Sequence, residues 1–297
     1  MTRSQGCRTG LLVTLLVVLV LGMGMLAILL FVSQARNTQW TFSTRGIVAI
    51  VELEGPIFDV RNQLQQLKNY ADNSSVKAIV IRINSPGGAV APSQELFEEV
   101  KKARRKGKKV VVSMGSVAAS GGYYVACAAD EIYANPGTIT GSIGVIAEFP
   151  NIEGLMEKVG IRFETIKTGI YKDTGSAFRP MTEEEHKLVY EMLMDVYDQF
   201  VEAVAESRGM PIEDVKKYAD GRVFSGRQAR QYGFVDALGT QSDAIERAAK
   251  LAGIKGKPRI LRKHKRRFPF GQYAEETLGQ FLPAIRPTHT PVLYMLR

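Results

Sequence analysis

The sequence predicts an α/β fold built on a parallel sheet, and three observations carry that expectation. Apolar, strand-like runs alternate with helically spaced ones from residue 46 to about residue 170. Several of those runs end in glycine-rich turns. From Thr182 onward the chain reads as one helix after another. Strand–helix alternation indicates crossover units with parallel strands, whose sites gather at the carboxyl ends of the strands.

In order, "GIVAIVELEG" reads as a buried strand and "VRNQLQQLKNYADN" has helical spacing. "VKAIVIRINSPGG" is a second strand ending in a Pro-Gly-Gly turn. Pro92 opens "APSQELFEEVKKARRKG", a helix with acids early and bases late, as the macrodipole favours. "KKVVVSMG" is a third strand, and it leads into a short apolar helix. "DEIYANPGT" and "GSIGVIAEF" give short strands and turns, then "NIEGLMEKVG" a helix and "IRFETIKTG" a strand. Thr182 caps the long helix that follows, with Glu185 placed as in a capping box, and Gly209 stops it. "PIEDVKKYADG", "SGRQARQYG" and "TQSDAIERAAKLAG" are shorter helices, with Ser225 and Asp236 as turn or capping residues. Of the last forty residues only "QYAEETLGQFL" has a periodic pattern.

Outside the α/β region, Leu11–Val32 is apolar apart from Thr14. As a helix it spans about 33 Å, enough to cross a bilayer core. "SQA" at Ser33–Ala35 resembles a signal cleavage site, but the run is longer than the usual apolar region of about 7–15 residues, which favours a retained anchor. Arg3 and Arg8 precede the run, so the positive-inside rule leaves the N-terminus cytoplasmic, although Arg36 and Arg45 weaken the bias. The expected division is a cytoplasmic leader at 1–10, an anchor at 11–32, a linker at 33–45, a folded extracytoplasmic domain at 46–253 and a tail at 254–297. Cys7 and Cys127 then lie on opposite sides of the membrane and do not pair within one chain. Cys127 reads as a small core residue.

Of the formal net charge of +9, eight Lys or Arg fall between Lys255 and Arg267. No nucleic-acid-binding motif accompanies them, so they read as a solvated or lipid-facing tail rather than a nucleic-acid site. No metal-ligand spacing occurs, and the expected chemistry uses no metal or cofactor.

The chemistry centres on "SVAASGGYYVACAAD", Ser116–Asp130. Small residues around one hydroxyl, Ser120, suit a tight turn that something approaches closely, or simple packing. A serine nucleophile needs a base. His186, His264 and His289 sit in no turn or strand end. The remaining option is a lysine made neutral by burial, because desolvation disfavours an ammonium. Lys172, in "TGIYKDTGSAFRPMT", stands out among glycines and serine.

These stretches, with "INSPGGAV", "TGSIGV" and "FSGRQARQYGFVDALG" in the same order, resemble the signal peptide peptidase A (SppA) family of bacterial membrane-anchored serine proteases, in its short single-copy form. The resemblance covers about Val48–Gly253. It implies a fold of the Clp protease and crotonase type and a ring of protomers. Ser120 matches the family's nucleophile and Lys172 its general base. With Ser120 beside a helix start, the N–H of Gly121 and that of Gly87 or Gly88 form an oxyanion hole, the two glycines left as alternatives. Ser142 is a candidate to orient the lysine amine, against a simple turn role. The implied partners are apolar peptides such as cleaved signal sequences, held extended at the bacterial inner membrane. The alternatives are a stomatin-associated type of membrane protease, a crotonase-type acyl-CoA enzyme and a non-catalytic scaffold. The apolar C-terminal run Val292–Leu296 is the kind of segment such a groove accepts, so it is expected to compete with substrate or be trimmed.

Overall fold

In the computed structural model of the protein, the described residues are 22–25, 46–263 and 292–295. The chain divides into the units Met1–Thr44 and Arg45–Arg297. In the first, residues 22–25 are helical and the rest of the expected anchor lies outside the described residues. Among the described residues no helix is long and apolar enough to cross a membrane.

The second unit is built on strands β1 (Ile47–Glu54), β2 (Val76–Ser85), β4 (Lys109–Ala119), β5 (Glu131–Ala134), β9 (Ala237–Leu238) and β10 (Arg259–Arg262). They lie in the order β10-β1-β2-β4-β5-β9, all parallel. Strand β6 (Ile139–Gly141) extends the sheet beside the end of β4, and β8 (Val223–Ser225) pairs antiparallel with β6. Both faces are covered. On one, Ala49, Val51, Ile79, Ile81, Val110 and Val112 pack under α1 (Arg61–Asp72), α2 (Val90–Arg105) and the long α5 (Glu183–Arg208). On the other, Val48, Ile50, Val80 and Val111 meet Ala244, Ala248 and Ala249 of α8 (Gln241–Leu251). Burial on both faces is why these strands read as unbroken Val/Ile runs rather than alternating ones.

The remaining helices are α3 (Gly121–Ala126), α4 (Glu153–Lys158), α6 (Ile212–Lys216) and α7 (Gly226–Gln231). Thr182 caps α5 through a complete capping box with Glu185, and Gly209 ends the helix in the left-handed region at φ 60°. Ser225 and Thr240 cap α7 and α8 in the same way. Asp236 ties elements together, accepting the Ile132 N–H and pairing with Arg208.

Three expectations are corrected. "IRFETIKTG" forms no strand: it pairs with no strand among the described residues, and Ile161, Phe163 and Ile166 are exposed. The C-terminal part is not purely helical, since β8, β9 and β10 add to the sheet. Part of the basic tail is therefore structured: β10 closes the β1 edge, and Arg262 pairs with Glu52. "QYAEETLGQFL" lies outside the described residues.

A second sheet of three strands stands at the strand ends. There β3 (Gly87–Ala89) and β7 (Ile146–Ala147) are bridged by the C-terminal strand β11 (Val292–Met295), antiparallel to both. Leu293, Tyr294 and Met295 face Ala89, Gly88 and Gly87 in register.

Candidate active site

The site forms where β2 and β4 end side by side. Their register jumps from Ile83 opposite Met114 to Ser85 opposite Ala118, a bulge on β4 that Asn84 fills. The Asn84 side-chain oxygen accepts the Val117 N–H at 3.2 Å. Past the bulge, β4 ends at Ala119 and α3 begins at Gly121.

Ser120 holds that corner with φ 52° and ψ −119°. Ser120 and Ser142 are the non-glycine residues with positive φ among the described ones. Such a backbone costs roughly 1–3 kcal/mol and persists only where its surroundings hold it. Those surroundings are specific. The Ser120 N–H donates to the Gly141 carbonyl at 2.8 Å, and Tyr124 N–H donates to the Ser120 carbonyl at 2.8 Å. Behind it, Tyr123 is fully buried and donates from its hydroxyl to the Phe234 carbonyl at 2.9 Å. Tyr124 packs between Phe97 and Phe200, ring centres 4.8 and 5.1 Å away. Two aromatic anchors in the core thus fix the turn that presents one hydroxyl. Ser120 is 1% exposed, and no hydrogen bond among the described residues engages its Oγ.

The Pro-Gly-Gly turn approaches from the other side. A Cβ on Gly122 would lie 3.1 Å from the Ser85 carbonyl oxygen, so the two turns touch. Gly88 has no room for a side chain, since a Cβ there would fall 2.3 Å from the Ile57 carbonyl oxygen. Ile57 bonds the Gly87 carbonyl and the Ala89 N–H at 2.9 and 2.8 Å, and the Gly87 N–H donates to Ser85 Oγ at 3.1 Å. Backbone groups alternate in direction along a strand. With Gly87 and Ala89 turned toward Ile57, the N–H of Gly88 turns to the opposite edge, where β11 lies. Of the two alternatives, the geometry favours Gly88 as the donor that faces a bound strand.

Ser142 joins this group. It follows Gly141, is 7% exposed, and donates its N–H to the Arg222 carbonyl at 2.8 Å. Two residues that the sequence reading passed over also shape the site. The Ser85 hydroxyl is one. Thr140 is the other: its hydroxyl donates to the Ala118 carbonyl at 2.7 Å and pins β6 beneath Ser120. The signal for both was a hydroxyl residue at a strand end in an otherwise apolar or glycine-rich run.

Among the described residues no hydrogen bond joins Lys172 to Ser120 or Ser142. The lysine sits in a turn, its N–H donating to the Gly169 carbonyl at 3.1 Å, and its side chain is exposed. No hydrogen bond or ion pair among the described residues engages its amine. His186 is exposed on α5, and His264 and His289 lie outside the described residues.

A doubly covered parallel sheet that carries a strained serine at its strand ends, facing a glycine turn, defines the Clp protease-like class. The Clp protease profile matches residues 42–139. The profile of peptidase family S49 matches residues 102–255. The chain is 44% identical over 218 residues to a Synechocystis sp. protein provisionally named a protease, a match covering 72% of this chain and 78% of that one. It is 40% identical to an Enterococcus faecium protein provisionally named signal peptide peptidase SppA, over 64% of this chain and 55% of that one. It is 36% identical to Protease 4 of Haemophilus influenzae, over 74% of this chain and 37% of that one. The chain belongs to peptidase family S49 and is a serine-type peptidase.

Proposed function

We propose that the chain is a membrane-anchored endopeptidase in which Ser120 attacks the peptide carbonyl and Lys172 is the general base. The observation that carries this reading is Ser120 itself. It is a buried residue in a strained turn, with no hydrogen bond to its hydroxyl among the described residues and the Gly121 amide next in the chain. Lys172 takes the Ser120 proton as the Oγ–C bond forms, the amides of Gly121 and Gly88 hold the developing oxyanion, and the lysine returns the proton to the leaving amine. Ser142 orients the lysine amine.

The substrate lies extended as an added strand between β3 and β7, the position β11 occupies. Apolar peptides such as cleaved signal sequences suit that groove. On this reading Leu11–Val32 anchors the chain in the bacterial inner membrane with the domain outside the cytoplasm. Lys172 is dried and brought to a Ser120 by a ring of copies. The apolar residues around it support this, since Ile166 is 93% and Ile170 70% exposed in the protomer.

The test is hydrolysis of a signal-sequence peptide by Ser120→Ala, Lys172→Ala and His186→Ala. The first two should lose on the order of 10⁴-fold or more in kcat with unchanged folding, because a nucleophile and its base act as a unit. The third should keep most activity. Lys172→Arg should be inactive, because a guanidinium does not give up its proton. An active Lys172→Ala enzyme would sink the dyad.

A further inference from the structure

The loop that carries Lys172 has no regular structure, and its Ile166 and Ile170 are largely exposed, yet a polar hub pins it. Arg179 donates from Nε and Nη2 to the two carboxylate oxygens of Asp173 at 2.9 and 2.7 Å. From Nη1 and Nη2 it donates to the two oxygens of Glu185 at 2.8 and 2.5 Å. Nη1 also donates to the Pro180 carbonyl at 2.9 Å. All five guanidinium N–H groups are thereby used, four of them in two bidentate forks and one on the Pro180 carbonyl.

The carboxylates are saturated in turn. Lys167 donates to Asp173 Oδ1 at 2.6 Å and Thr174 to Glu185 Oε1 at 3.1 Å, while Glu185 also accepts the Thr182 N–H at 2.9 Å. The Glu185 side chain is 3% exposed and belongs to the capping box of α5. An isolated surface ion pair contributes little. A doubly forked arginine on a buried, helix-anchored carboxylate is a different object, because its geometry is fixed at every bond. The residues it ties, from Lys167 to Glu185, bracket Lys172 on both sides, and none of them bonds the Lys172 amine.

Two physical consequences follow. Ordering a loop residue costs about 1–2 kcal/mol, and the polar hub offsets part of that cost beside the stacked pair Phe163–Phe178. The second is electrostatic. Asp173 is the immediate neighbour of Lys172, and a free carboxylate there would hold the proton that a base must shed. We propose that Asp173, Arg179 and Glu185 form a clasp that positions Lys172 and keeps the Asp173 carboxylate from pairing with it. The inference rests on Lys172 being the base. Lys167, Asp173, Arg179, Glu184, Glu185 and the Tyr171 hydroxyl are the titratable groups around the loop.

The experiment uses the full chain with Arg179→Gln, Arg179→Lys and Asp173→Asn, assayed by peptide hydrolysis against pH. A misplaced base predicts about a 10²-fold loss of kcat with KM changed less than about twofold in all three. Arg179→Lys should fail to rescue, since an ammonium cannot fork. In Arg179→Gln the rising limb of the pH–rate profile should also move to higher pH, because Asp173 is released. In Asp173→Asn it should not, because no carboxylate remains. Wild-type kcat and an unmoved limb in Arg179→Gln would overturn the clasp. If Arg179→Gln fails to fold, Thr174→Val should show a smaller loss of kcat, and no loss would overturn it. Acetylation of Lys172 by acetic anhydride against pH, read by mass spectrometry in the Ser120→Ala background, keeps the two readings apart. If Lys172→Ala proves active the base assignment fails, whereas labelling that Arg179→Gln leaves unchanged defeats the clasp alone.

Discussion

Individual residues here divide by what burial does to them. Cys127 is fully enclosed, and burial pushes its thiol from about 9 up to about 12. The thiolate is the reactive form, so Cys127 should resist iodoacetamide in the native protein at pH 8 and react only after denaturation. Modification of native Cys127 at the denatured rate would contradict the packing. Glu185 moves the other way: the Arg179 side-chain hydrogen bonds, then the Thr182 N–H, lower its carboxyl from about 4.5 to about 2. Asp173 is lowered by Arg179 and Lys167 as well. A depressed carboxyl stabilises the fold fully above its ordinary value and loses that contribution as pH falls through the folded one. Thermal midpoints should therefore drop between about pH 4.5 and pH 2 more steeply in wild type than in Glu185→Gln. Parallel curves would show that the carboxylate contributes nothing.

At the level of elements, α3 and α5 are joined through Tyr124 and Phe200, the latter fully buried. Phe200→Ala should cost about 3–5 kcal/mol of unfolding free energy and also lower activity, because the Ser120 turn leans on Tyr124. Denaturant unfolding with a parallel assay checks both, and a large stability loss with unchanged kcat would detach the turn from its support. The same elements explain what could be read in advance. Strands β1, β2 and β4 were legible because burial on both faces leaves unbroken apolar runs, and α5 because its caps are local. Ser120, Gly87 or Gly88, and Ser142 stand out in the sequence as small or hydroxyl residues, and the structure places them at or just past the ends of β4, β2 and β6. Strand β10 was not legible, since "RILR" carries as many charged as apolar residues and exists by pairing with β1. The missing strand at "IRFETIKTG" is the converse case, a β-prone run with no partner strand among the described residues. The Arg179 clasp joins residues six apart in an irregular loop, a spacing that no periodic template describes.

For the whole molecule, the proposed dyad, with Lys172 exposed on the protomer, leads to a test of assembly. If one copy's lysine serves another's serine, Ser120→Ala and Lys172→Ala proteins, each inactive, should regain activity when unfolded together and refolded as a mixture. Light scattering should find the active species larger than one protomer. An active monomer, or a dead mixture of assembled variants, would remove the exchange between copies. The C-terminal strand has a consequence in time rather than in space. Because β11 lies between β3 and β7, the groove of a newly made molecule is already taken, and tethering holds the occupant there at an effective concentration of order mM. If Ser120 then cuts that tail, the enzyme runs on a built-in delay. Hydrolysis should begin slowly and accelerate as Ser120 shortens the tail, with intact mass falling in wild type and constant in Ser120→Ala. Deleting residues 291–297 should abolish the lag, and linear progress from an uncut wild type would mean that no such delay exists. A peptidase timed in this way would reach full activity only some while after its synthesis, at a moment set by its own chemistry rather than by the arrival of substrate.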